Sequence, residues 1–145
     1  DGVSIGSSTL YLDGTKVGDG GQTTGRLNLT VFPTSDFKFN LALFGADNIF
    51  SNINAEDFDE PDGGNAQLPA YKLFDFGAGY NFDLFGNNAY LRLNINNVFD
   101  EEYYPEMENN YLATDDSTNY MGINTANRIF PGWGRTWNVG LTYRF

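Results

Sequence analysis

The stretch Arg135-Thr-Trp-Asn-Val-Gly-Leu-Thr-Tyr-Arg-Phe145 decides how the rest of the chain is read. Successive side chains of an extended strand point to opposite faces. Trp137, Val139, Leu141, Tyr143 and Phe145 therefore share one face, and Thr136, Asn138, Gly140, Thr142 and Arg144 share the other. Unbroken alternation over this length predicts a strand with an oily environment on one side and a wet one on the other. A half-buried strand of a water-soluble sheet has the same period. The recurrence of the pattern upstream, together with its ending on an aromatic, points to the wall of an antiparallel transmembrane β-barrel.

The recurrence is plain on moving upstream. Leu91, Leu93 and Ile95 alternate with Arg92, Asn94 and Asn96. Before them Phe74, Phe76, Ala78, Tyr80 and Phe82 alternate with Asp75, Gly77, Gly79 and Asn81, and Leu84-Phe-Gly-Asn-Asn88 reads as a tight turn between the two strands. Further back, Phe37, Phe39, Leu41 and Leu43 alternate with Lys38, Asn40 and Ala42, and Leu27, Leu29 and Val31 with Asn28 and Thr30. Pro33-Thr-Ser-Asp36 joins that pair as an antiparallel hairpin. Residues 3–12 form a weaker candidate strand, followed by the turn chemistry of Asp13-Gly14 and Gly18-Asp-Gly-Gly21. Residues 51–69 and 102–131 carry no period and read as long acidic loops. Connections thus run short, long, short, long, the asymmetry of an outer-membrane barrel with tight periplasmic turns and long outer loops. On that parity the last strand runs inward and Phe145 ends at the periplasmic side. Aromatics gather near strand ends, at Phe32, Phe37, Phe82, Phe85, Tyr103, Tyr104 and Trp133. Interfacial girdles and an ordinary sandwich core both account for them.

Composition narrows the function classes. The chain of 145 residues is 41% hydrophobic and 17% aromatic, yet has no apolar run near 18 residues, so a membrane helix is excluded while a barrel is not. It has no cysteine, so no disulfide framework and no thiolate metal site. It has no histidine either, which removes the usual general base and the commonest transition-metal ligand. With no G-x-S-x-G elbow as well, the chain is expected not to be an enzyme. A net charge of −11 argues against nucleic acid. Twelve of the 19 acidic residues fall in residues 56–62 and 100–116, both loop-like, so the strands stay nearly uncharged. The opening Asp-Gly-Val-Ser-Ile-Gly has neither the basic start nor the apolar core of an export signal. Either the protein is cytoplasmic or residues 1–145 are the C-terminal segment of a longer, processed barrel protein, and the second is the expectation.

At Leu91-Arg-Leu-Asn-Ile-Asn-Asn-Val-Phe-Asp-Glu-Glu-Tyr-Tyr104 the chain resembles the penultimate strand of TonB-dependent outer-membrane receptors. Pro131-Gly-Trp-Gly-Arg-Thr-Trp-Asn-Val-Gly-Leu-Thr-Tyr-Arg-Phe145 resembles their last strand, and Leu68-Pro-Ala-Tyr-Lys-Leu-Phe-Asp-Phe-Gly-Ala-Gly-Tyr80 the one before those two. Leu10-Tyr-Leu-Asp-Gly-Thr-Lys-Val-Gly-Asp19, followed by Gln22-Thr-Thr24, is similar to receptors of Bacteroidetes-type bacteria. The resemblance implies an all-β fold: the last five or six strands of a plugged barrel of about 22 strands, with the plug domain and N-terminal strands outside this chain. It implies a Gram-negative outer membrane and active import of a scarce or bulky nutrient, a siderophore, cobalamin or oligosaccharide. Implied partners are the TonB-ExbB-ExbD system acting through the absent N-terminal part, the barrel-assembly machine, membrane lipid and, in glycan importers, a surface lipoprotein.

Three groups of residues are candidates for specific roles. The resemblance gives Trp137, Tyr143 and Phe145 the role of assembly signal, beside the plainer one of lipid-facing side chains. Tyr103, Tyr104, Tyr111 and Tyr120, with Met107 and Met121, lie in the second long loop. Rings there suit stacking on a flat ligand such as a sugar or siderophore, but loop-on-loop packing at the barrel mouth is the preferred reading. Asp57, Asp59 and Asp62 offer hard oxygens to Ca²⁺, but the EF-hand spacing is absent and a solvated loop of like charges is the preferred reading. No other cofactor is expected. The competing class is a soluble all-β module that holds carbohydrate with its aromatics.

Overall fold

A computed structural model describes residues 9–51 and 64–145. Every regular element in them is a β-strand: β1 Gly21–Val31, β2 Phe37–Phe50, β3 Gln67–Leu68, β4 Tyr71–Leu84, β5 Asn87–Asn96, β6 Glu106–Glu108, β7 Asn119–Tyr120, β8 Ile123–Asn124, β9 Arg128–Phe130 and β10 Thr136–Tyr143. The main sheet has the order β1-β2-β4-β5-β10, and β3 pairs with the end of β2. The pairings β2·β4, β4·β5 and β5·β10 are all antiparallel. Among the described residues the sheet is open, with β1 and β10 at its edges, and no closed barrel is formed.

The chain divides into two compact units. The first comprises Asp1–Gln22, Asn48–Pro69 and Tyr104–Pro131; the second comprises Thr23–Asp47, Ala70–Tyr103 and Gly132–Phe145.

The second unit is the body of the sheet, and its register sorts the side chains as the alternation predicts. One face carries the rows Leu41–Phe76–Ile95–Trp137, Phe39–Ala78–Leu93–Val139 and Phe37–Tyr80–Leu91–Leu141. The other carries Asn40–Gly77–Asn94–Asn138 and Lys38–Gly79–Arg92–Gly140. The tight connections share one end. Leu84 pairs with Asn87 around a two-residue turn, Phe85 and Gly86, and the Asn81 amide donates to the Asp36 carbonyl beside the 32–36 connection. β10 leaves at that same end, where Tyr143 pairs with Ala89 and the Arg144 amide donates to Asn88 O. Both central turn residues have positive φ, 53° at Phe85 and 83° at Gly86, the combination of a type I′ hairpin whose twist matches the flanking strands.

What this sheet does not do is build a core. Within the second unit its only buried hydrophobic residues are Ala46 and Ala89; Ile49 at the end of β2 and Leu68 on β3 are buried in the first unit. On the apolar face Trp137, Val139 and Leu141 are 71%, 57% and 60% exposed, and Leu27, Leu29 and Val31 on β1 are exposed as well. Rings line up on the same face near the tight turns: Phe37 against Phe39 and Tyr80, Phe39 against Phe76, and Tyr80 stacked on Phe82.

The first unit has the opposite character. It buries Ile49, Ala66, Leu68, Tyr104, Met107 and Ile123. Residues 102–131, expected to be an aperiodic loop, contain two small antiparallel sheets, β6·β9 and β7·β8. Their strands are two or three residues long, too short for a period to register. Met121 and Gly122 close the β7–β8 hairpin with positive φ of 50° and 81°. Residues 9–12 are not a strand, and residues 3–8 of that candidate lie outside the described residues. β2 and β4 run beyond the predicted alternation because their ladder continues through Gly45–Lys72 and Ala46–Tyr71, where side-chain polarity no longer alternates.

Candidate functional site

The polar face of the main sheet is the best-organised surface of the second unit. Asn40, Asn94 and Asn138 lie in one row across four strands, interrupted at Gly77. A Cβ at Gly77 would lie 3.3 Å from Asn94 Oδ1 and 3.5 Å from the Asn40 side chain, so the missing side chain opens a notch between two amides. The amides are tied to neighbouring strands. Asn94 Nδ2 donates to Asn138 Oδ1 at 2.9 Å, Asn96 Nδ2 to Thr136 Oγ1 at 3.1 Å, and Thr30 Oγ1 to Asn40 Oδ1 at 3.0 Å. Arg26 reaches Asp75 at 4.0 Å, an exposed pair worth little energetically but a fixed charge at the cleft wall. All of these residues except Thr136 line a cleft of about 530 Å³. Towards the tight turns the face becomes cationic. Lys38 Nζ sits 5.6 Å from the centre of the Tyr90 ring, whose hydroxyl occupies the space a side chain at Gly79 would need.

At the other end of this face the polarity changes. Tyr71 stacks obliquely against Tyr103 at 4.5 Å and against Phe44 at 6.1 Å. The Tyr103 ring lies over Gly132, where any Cβ would collide with it, and the Gly132 amide donates to Tyr103 O at 2.8 Å. Tyr103 is thus a held, half-buried ring.

The motif Asn96-Asn-Val-Phe-Asp100 folds into a compact corner. Asn97 adopts φ 51° and Asp100 φ 58°, left-handed conformations that Asn and Asp tolerate better than most residues. Asn97 is buried; its Oδ1 accepts from the Glu101 amide, and its Nδ2 donates to Glu101 O and Trp133 O. Its own amide donates to Asp75 Oδ1, and Arg135 N donates to Asp100 Oδ1 at 2.7 Å. The sequence singled this motif out only by resemblance. Its physical content is a buried amide joining three segments of the second unit.

The other candidate residues are dispersed. Tyr104 is 5% exposed and presents almost no surface to a ligand. Tyr111 and Tyr120 are exposed in the first unit, and Tyr120 borders a small cavity of about 200 Å³ with Ile123, Asn127 and Ile129. Met107 is fully buried and Met121 exposed. Trp137 and Tyr143 share the apolar face of β10, the Tyr143 hydroxyl accepting from Asn87 Nδ2 at 2.9 Å, and Phe145 is fully exposed. Asp57, Asp59 and Asp62 lie outside the described residues, and no cluster of three potential metal ligands occurs among the described ones.

Two further amides went unnoticed in the sequence. Asn110 accepts from Ser51 Oγ and the Ala66 amide and donates to Gly64 O. Asn127 is buried and makes bonds in both directions with the Tyr111 backbone. For Asn110 the available signal was the Asn-Asn doublet at 109–110, matching the one at 96–97, each with one member at positive φ; Asn127 stands in no such doublet.

No protein-family model, no curated protein and no solved structure matches this chain.

Proposed function

We propose that the main sheet is a wall sector of a large outer-membrane β-barrel of the TonB-dependent transporter type, importing a scarce or bulky nutrient. In this reading the apolar face meets lipid and the amide-lined face looks into the lumen. The observation that carries it is the missing core: within the second unit the sheet buries no large apolar side chain, and it leaves Trp137, Val139, Leu141, Leu27 and Leu29 exposed. In water such a sheet would rest on backbone ladders and cross-strand pairs of about 0.2–1 kcal/mol each. It would forgo the roughly 1.5–3 kcal/mol that each large apolar side chain gains on burial. A bilayer supplies that burial from outside. The short turns gathered at one end, together with the open edges of β1 and β10, fit a sector whose neighbours complete the ring. No covalent chemistry is assigned to the segment; its part is wall, outer surface and, through Trp137, Tyr143 and Phe145, assembly.

The test is a nitroxide scan along residues 137–143, convenient because this chain contains no cysteine to interfere. In lipid vesicles, labels at 137, 139 and 141 are expected to collide with oxygen and to be shielded from a water-soluble nickel complex, with the reverse at 138, 140 and 142. Equal access of the nickel complex to both sets would return the chain to the competing class, a water-soluble all-β module.

A further inference from the structure

Gly77 and Gly79 share the polar face of β4, with Asn40 and Lys38 beside them on β2 and Asn94 and Arg92 on β5. Two glycines on one face leave a lane along the strand, about 10 Å wide between its neighbours, with about 7 Å from one row to the next. The two rows differ in chemistry. At Gly77 the position a Cβ would take lies 3.3 Å from Asn94 Oδ1 and 3.5 Å from Asn40 Nδ2. The Asn40 oxygen is engaged by Thr30 and the Asn94 nitrogen by Asn138. One donor and one acceptor therefore face the lane, both without a hydrogen-bond partner among the described residues. A hydroxyl, which donates and accepts at a single atom, matches them.

At Gly79 the lane ends on two donors. The Tyr90 hydroxyl stands where a side chain would, and Lys38 Cε lies 3.0 Å from the same point. Arg92 follows in that row, its guanidinium 4.0 Å from the Cβ position of Gly140. Charge on this face balances except here. Arg26 pairs with Asp75, and Asp83 and Arg144 share the row that holds Asn88. Among the described residues Lys38 and Arg92 have one carboxylate in the adjoining row, Asp36 beside Asn81, and neither makes an ion pair with it. Two cations against one carboxylate leave the row one negative charge short.

We propose that this lane seats an extended polypeptide segment of a partner protein with the pattern Ser/Thr-x-Asp/Glu. Its hydroxyl accepts from Asn40 Nδ2 and donates to Asn94 Oδ1; its carboxylate accepts from the Tyr90 hydroxyl and pairs with Lys38, in the field of Arg92. The spacing selects this occupant, because same-face side chains of an extended chain recur every two residues, the separation of the two rows. The missing negative charge selects its acidity. The polar face is open whether lipid or water meets the opposite one, so the inference goes beyond the wall assignment and does not rest on it.

The experiment titrates the peptide Gly-Thr-Gly-Glu-Gly, with both ends blocked, into the full chain in detergent micelles and reads binding by calorimetry. Glutamine in place of the peptide's glutamate is expected to weaken binding about tenfold, and alanine in place of its threonine about fivefold, the discrimination of one charge-assisted and one neutral hydrogen bond. Lys38→Gln should weaken the glutamate peptide about tenfold and leave the glutamine peptide unchanged. Gly77→Ala, which fills the notch, should erase the preference for threonine. Lys72→Gln, on the opposite face of the same sheet, should change nothing. No binding of the peptide, binding that ignores Lys38→Gln, or an equal loss with Lys72→Gln overturns the assignment. Free glutamate binding as tightly as the peptide, or a dimer of this chain that the peptide takes apart, would overturn the choice of occupant.

Discussion

Phe85 stands at positive φ in the turn between β4 and β5, almost wholly exposed, where a bulky residue is strained and Asn or Gly is at ease. Replacing it is therefore expected to help the hairpin. Phe85→Asn should raise stability by about 1 kcal/mol, read as a higher urea midpoint in detergent micelles. Asn97 is the opposite case: it also sits at positive φ, but its amide is buried and fully engaged. Asn97→Ala removes three hydrogen bonds and strands the Glu101 amide, so a loss of about 2–4 kcal/mol is expected in the same titration. Asn97→Gly should recover only the backbone part of that loss. Neither residue declared its role in the sequence. Asn-Gly or Asp-Gly marks such a turn, and Phe-Gly does not. An asparagine in a loop is ordinarily solvated, and it is the bonds to nearby Glu101 and to distant Trp133 and Asp75 that make Asn97 structural.

β10 is the element on which the membrane reading is most exposed to refutation, because adjacent residues face opposite surroundings. Leu141 lies on the apolar face opposite Leu91, and Thr142 on the polar face opposite Tyr90. If lipid covers the first, Leu141→Arg should cost about 2–4 kcal/mol near the bilayer midplane, while Thr142→Arg should be nearly neutral. In water both are exposed substitutions within about 0.5 kcal/mol of each other. Urea unfolding of the two variants in vesicles separates the cases. At this scale the sequence was highly legible. β5 and β10 lie where their alternation placed them, within one to four residues, and the two tight turns fall between the strands expected. The misses were elements without a period: β3, β6 and β9, which form because a distant segment supplies the pairing partner, and β7 and β8, which pair across their own two-residue turn but are too short to show alternation.

Over the whole molecule the division of labour is uneven. The first unit gathers the large buried apolar side chains around Ile49, Leu68 and Met107, and its backbone is stitched by Asn110. Asn110→Ala would leave the Ala66 amide and the buried Ser51 hydroxyl without their acceptor. Faster hydrogen exchange at Ala66, on the order of 10- to 100-fold, is the expected readout. The second unit leaves its apolar face uncovered. Without an amphiphile the protein is therefore expected to self-associate, and light scattering should record a return to a single small species once detergent micelles cover that face.

What the amino-acid order determined alone is the two-sidedness of each long strand, since a period of two is a consequence of extended backbone geometry and needs no partner. It also determined where the chain reverses, because Pro33 and the Gly-Asn run after Leu84 act locally. Only the tertiary structure decided that the sheet of the second unit is left without a covering layer, which loop asparagines become buried joints, and that Asn40, Asn94 and Asn138 line one cleft. Those outcomes depend on residues brought together from far apart along the chain, and no local pattern encodes a neighbour that folding alone supplies.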